Sequence, residues 1–147
     1  MLLNTIKIMA RDLYHNAVRA ALEKDGWKIT HDPLHLPKKI IGAKLEIDLG
    51  LQKIIIAEKR TEKIAVEVKS FIKPSIIHEF HAVLGQYLGY IVGLEKVESD
   101  RVLYLAMPQN AYEILTEMPI FQAIVDRFNL KLIIFEPKNE IIIAWIK

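Results

Sequence analysis

The sequence predicts an α/β domain, a central mixed β-sheet flanked by α-helices. Three observations predict it. Apolar residues recur at helical spacing over 5–24, 76–94 and 109–128. Short alternating or β-branched runs of strand length lie between and after these stretches. The resulting order is helix, strand, three strands, helix, strand, helix, two strands.

The first helix is predicted over Thr5–Lys24, with Ile8, Leu13, Val18, Ala21 and Leu22 on one stripe and Gly26 closing it. Trp27–Thr30 follows as a short strand. His31–Pro37 carries Asp32-Pro33 and Pro37 and is predicted to be a loop. Lys44–Leu49 alternates, with Leu45, Ile47 and Leu49 on one face and Glu46 and Asp48 on the other. Gln52–Lys59 and Ile64–Ser70 are two further strands, expected to pair as an antiparallel hairpin across the polar turn Arg60–Lys63. After Lys73-Pro74, Ser75 is placed to cap a long helix over Ile76–Leu94. Arg101–Met107 is a strand, and Gln109–Phe128 is helical with a break at Pro119. Leu130–Phe135 and Ile141–Ile146 complete the sheet around the turn Pro137–Glu140.

Composition bounds the function. A chain of 147 residues, 52% hydrophobic, is one domain with a sizeable core. It has no cysteine, which removes disulfides, thiolate metal sites and thiol nucleophiles and fits a reducing cytoplasm. No apolar run approaches the roughly 18 residues that span a bilayer, and the start lacks the parts of an export signal. A net charge of +2 gives no global basic excess, so any phosphate-binding surface must be a local patch.

The chemistry concentrates between Glu46 and Lys69. Asp48 ends one strand-like run, and Glu67-Val68-Lys69 lies in a later one. Residues i and i+2 of a strand share a face, so Glu67 and Lys69 can act on one substrate. Two carboxylates can hold a divalent cation, and an ammonium beside them can serve the attacking water or a phosphate oxygen. This is the minimal kit of a metal-dependent phosphodiester nuclease. Asp48 and Glu67 are the expected ligands to Mg²⁺ or Mn²⁺, with the Val68 carbonyl as a further donor. Glu46 and Glu58 are weaker candidates. Gln86, on the following helix, can hydrogen-bond a ligand carboxylate or a phosphate, with Tyr90 one turn on. His31, His35, His78 and His81 read as loop or surface residues, and no HExxH pattern occurs. Lys38, Lys39, Lys44, Lys73 and Arg11 are the candidate phosphate-tracking rim, whose contacts with DNA would be independent of sequence.

The element order, with Asp48 and Glu67-Val68-Lys69, resembles the restriction-endonuclease-like fold of the PD-(D/E)XK superfamily, with residues 1–147 forming one such domain. Gly26-Trp27 is similar to the closure of the first helix in Holliday-junction resolvase relatives, with His15 where those carry an acid. Gln86 to Tyr90 has the Gln-x-x-x-Tyr form of RecB-type exonucleases. At a narrower level, Asp12–Asn16, Lys24–Pro33, Ala65–Phe71, Gly85–Tyr87 and Arg101–Ala106 resemble the XisH family, named as fdxN element excision controlling factors. The resemblance implies a role beside a site-specific recombinase in excising a DNA element, often with a small XisI-type partner. It also implies a catalytic set of Asp48, Glu67, Lys69, Gln86 and His15. A non-catalytic DNA-binding accessory role and a protein-interaction role stand as alternatives. A homodimer is expected by analogy, because cutting two strands needs two sites.

Overall fold

The computed structural model describes residues 14–147. The part of the first predicted helix before residue 14, and Arg11 with it, lies outside the described residues. Helix α1 covers 14–24. It is followed by β1 (Lys28–His31), β2 (Leu34–Leu36), α2 (Lys38–Ile41), β3 (Leu45–Ile47) and β4 (Leu49–Ile55). Then come β5 (Arg60–Val68), α3 (Ile76–Val97), β6 (Arg101–Pro108), α4 (Gln109–Thr116), α5 (Pro119–Phe128), β7 (Leu132–Glu136) and β8 (Ile141–Ile146).

Six strands form one sheet in the order β1-β4-β5-β6-β7-β8. The pairs β5–β6 and β6–β7 are parallel, and the other three are antiparallel. This is the mixed sheet the element order predicts. Helices cover both faces. On one face Val18 and Leu22 of α1 pack with Leu49, Leu51, Ile64, Val66, Ile133 and Phe135. On the other, Phe80, Tyr87 and Leu94 of α3, with Leu115 and Phe121, pack with Ala65, Leu103, Leu105, Leu132 and Ile134. Strand alternation therefore sends Ile64, Val66 and Val68 toward α1, and Ala65 and Glu67 toward α3. Among the described residues no helix is long and apolar enough to cross a membrane.

Three segments differ from the expectation. Lys44–Leu49 is not one strand. The chain bends at Asp48, and β3 leaves the main sheet to pair with β2, Leu34 opposite Ile47 and Leu36 opposite Leu45. The segment His31–Pro37 thus holds a strand instead of a loop, because Leu34 and Leu36 alternate and both are buried over α3's layer. The β4–β5 turn falls at Ile56–Lys59, where Lys59 takes a left-handed φ of 51°, and Arg60–Lys63 lies within β5. Those polar residues line an exposed strand end, where Arg60 pairs with Glu58 and Glu62, and composition alone disguises them as a turn.

The starts of α3 and α4 and the break at Pro119 hold, while α3 runs on to Val97, past the expected Leu94, and the short α2 is an addition. Pro119 stands at the start of α5 and splits the second helical stretch. Ser75 caps α3 by accepting from the His78 N–H at 3.4 Å. At that length Ser75→Ala is expected to cost only about 0.5 kcal/mol, read as a shift of about 1–2 °C in a thermal melt. A loss several times larger would give Ser75 a role beyond capping. Arg101 is 7% exposed. It hydrogen-bonds Glu98 and donates to the Ile64 carbonyl at 2.9 Å and the Leu51 carbonyl at 3.3 Å, tying the start of β6 to β5 and β4.

Candidate functional site

β5 ends at Val68, at the carboxyl end of the parallel strands, where open α/β sheets place their ligands. β4 runs antiparallel to it, with Leu49 opposite Val66, so Asp48 arrives at the same end. Continued by that register, the partner of Val68 is Ile47. Ile47 has already turned away into β3, so a side chain takes the vacant place. The Val68 N–H donates to Asp48 Oδ2 at 2.8 Å. The Asp48 N–H in turn donates to Glu67 Oε1 at 3.2 Å. Lys69 Nζ lies 3.6 Å from Glu67 Oε2. The N–H and C=O of a strand residue point to one edge, so the Val68 carbonyl faces this same notch.

Glu67 is 5% exposed. Burial pushes its carboxyl up, the charge of Asp48 adds to the effect, and Lys69 opposes it. The result stands at about 8, well above the ordinary carboxylate range. Two acids pressed together in a desolvated notch at a strand end are a poor structural device and a good cation trap. Among the described residues no third His, Asp or Glu joins them to complete a dedicated metal cage. Two carboxylates and a carbonyl with solvent suit a hard cation such as Mg²⁺, which retains waters and needs few protein ligands. The donor set therefore fits the divalent ion expected from the sequence.

The other expected residues fall elsewhere. The buried stripe of α3 is Phe80, Val83, Tyr87, Tyr90 and Leu94. That stripe leaves Gln86 at its solvent edge, exposed, with no hydrogen bond to Glu67 or Lys69. Tyr90 is a core residue. Tyr87 carries the polar link, its hydroxyl donating to the Leu103 carbonyl at 3.2 Å and accepting from the Lys131 N–H at 3.3 Å. His15 belongs to α1 on the opposite face and shares a hydrogen bond of 2.8 Å with Asp32, which also binds Arg19. Lys38 and Lys39 are exposed on α2, and Lys73 is exposed between β5 and α3. Lys44 and His35 both pair with Glu46, at 3.4 and 3.3 Å. Glu58 is engaged with Arg60 at the far end of the hairpin.

The sequence pattern of the family described as XisH protein matches residues 8–143. The chain belongs to the XisH family. Two crystal structures share its fold at high identity. One is of an XisH family protein from Nostoc punctiforme PCC 73102, 38% identical, covering 92% of this chain and 99% of its own, with a TM-score of 0.81. The other is of a fdxN element excision controlling factor protein from Anabaena variabilis, 39% identical with the same coverage and a TM-score of 0.82. No protein of curated function matches the chain.

This XisH chain has a second cluster that sequence reasoning missed. Trp27, Tyr104, Trp145, Lys53 and Lys147 gather around one cavity. They come from the turn after α1, from β4, β6 and β8, and from the residue following β8. No spacing within any one segment announces them.

Proposed function

We propose that this XisH-family chain acts on DNA during excision of a DNA element, as a metal-dependent endonuclease-like factor of restriction-endonuclease-like fold. The convergence of Asp48, Glu67 and Lys69 carries this reading. Asp48, Glu67 and the Val68 carbonyl would hold Mg²⁺ or Mn²⁺. When bound, the ion supplies Lewis-acid neutralisation of charge on a scissile phosphate. Lys69 positions the attacking water or offsets the negative charge growing on a phosphate oxygen. Lys38, Lys39 and Lys73 track the backbone without reading sequence. The excision role is supported by the name of the Anabaena variabilis relative, and the family resemblance of the sequence adds a recombinase and a small XisI-type protein as proposed partners.

A second reading is a non-catalytic DNA-binding accessory. It is favoured by the positions of Gln86 and His15, which do not complete the ligand set. One assay separates the two. Supercoiled plasmid is incubated with the protein and Mg²⁺ or Mn²⁺, beside Glu67→Ala and Lys69→Ala. The expected result is cation-dependent nicking, weakened by about 100-fold or more in each variant. Gel-shift binding at low salt without nicking supports the accessory reading. Neither activity, with tight binding to a XisI-type protein, leaves an interaction module and removes both.

A further inference from the structure

Helix α1 ends at residue 24, and Gly26, at φ 91°, turns the chain so that Trp27 lies against the sheet. Past that turn no described helix lies over the α1-side face. Lys53 stands two residues beyond Leu51 on β4, Glu62 two before Ile64 on β5, and Tyr104 opposite Val66 on β6. With Asp25, Trp27, Trp145 and Lys147 they line a cavity of about 240 Å³, smaller than the drug-sized sites of about 300–1,000 Å³ and suited to one ring system.

Its walls are aromatic and charged. The rings of Trp27 and Trp145 lie 5.9 Å apart at 35°, and Tyr104 meets Trp145 edge-on at 5.1 Å. Lys53 Nζ lies 5.7 Å from the Trp27 ring centre and donates to the Asp25 carbonyl at 2.9 Å. Lys147 Nζ lies 5.8 Å from the Trp145 ring centre. Lys53 and Glu62 are cross-strand neighbours, yet neither is spent on the other. Glu62 accepts from Arg60 at 2.7 Å and keeps acceptor capacity. Trp27 is 7% exposed, and its indole N–H is buried with no hydrogen-bond partner. A buried indole N–H usually has one.

We propose that this cavity binds one unpaired nucleobase with its phosphate, guanine being preferred. The half-buried Trp145 indole stacks the ring, as aromatic platforms do for single strands. The ammonium groups of Lys53 and Lys147 meet the phosphate or the O6 and N7 acceptors. The Glu62 carboxylate accepts from the guanine N–H groups, which thymine cannot match on its own edge. An incoming ring that displaces the Lys53 stem brings the Trp27 N–H an acceptor. The site does not depend on the nuclease reading. Glu62 is five residues from Glu67 along β5, about 17 Å, and on the opposite face. The nucleotide can be free or part of a single strand.

The test uses the chain's own signal. Both of its two tryptophans line this cavity, so intrinsic fluorescence reports on it. The protein is titrated with dGMP, dTMP, an oligothymidylate carrying one guanine, and the same strand in duplex form. Saturable quenching by dGMP, about tenfold tighter than by dTMP, is expected. Glu62→Gln should erase that preference, and Lys53→Ala with Lys147→Ala should weaken binding by about tenfold or more. Glu67→Ala should bind the base unchanged, which separates failure here from failure of the nuclease site. Equal affinity for dGMP and the strand supports the free nucleotide, and a tighter strand supports single-stranded DNA. The proposal is overturned by absence of saturable quenching with every probe, by duplex binding as well as the single strand, or by unaltered binding in both sets of variants.

Discussion

Glu67→Gln is expected to melt higher than the parent at pH 8.5 and to abolish the proposed cation-dependent nicking. The native Glu67 carboxyl stands at about 8, against an ordinary value of 4.5, because burial and the Asp48 charge disfavour its ionised form. A group raised in this way contributes its full stability below 4.5, and that contribution is lost as pH rises to 8. Near pH 5 the parent holds the proton and gains little from substitution. Above 8 it carries a buried negative charge beside Asp48, which glutamine does not. With chelator present, a gain of up to about 5 kcal/mol at pH 8.5 follows, or about 10–20 °C in melting temperature. A variant that melts at or below the parent at pH 8.5 would mean that Glu67 is stabilised as an anion, and that the notch is not waiting for a cation.

Arg101→Ala should be the most destabilising single change outside the apolar core. The side chain is 4% exposed, and it binds Glu98 together with two carbonyls of neighbouring strands. Truncation leaves those carbonyls short of a donor, empties the volume of a guanidinium and strands Glu98. A loss of about 3 kcal/mol is expected, or about 6–12 °C by calorimetry. Lysine should not restore it, since one ammonium cannot reproduce the planar fork that reaches three acceptors. The Arg101 hydrogen bond also holds the Glu98 carboxyl below its usual range. That part of the stability is present above 4.5 and is lost as pH falls through the lowered value. The gap between the Arg101→Ala and parent curves should therefore narrow in acid without closing. A deficit independent of pH would assign the whole effect to packing and the carbonyls.

What could be read from sequence depended on how local the cause was. Asp48, Glu67 and Lys69 were legible because strand alternation and one hairpin are enough to bring them together. Gln86 shows the limit of helical spacing. It shares a helical side with Tyr90, but the buried stripe runs through Tyr87, one residue on, and position 86 is left at the edge. His15 was placed by analogy, and its partner Asp32 is set by how α1 lies over the end of β1, which no local pattern encodes. The hairpin turn was misplaced because Arg60–Lys63 is polar, whereas Ile56, at the true turn, is an isoleucine 85% exposed. The aromatic cavity was invisible because its residues come from separate strands and turns that meet only in the folded sheet.

The bend at Asp48 gives the molecule a reporter. Because the Val68 amide is protected by a side chain and not by a neighbouring strand, its solvent exchange follows the position of one carboxylate. Deuterium uptake at that single amide would register each departure of Asp48 from its post, in a sheet whose surrounding amides stay silent.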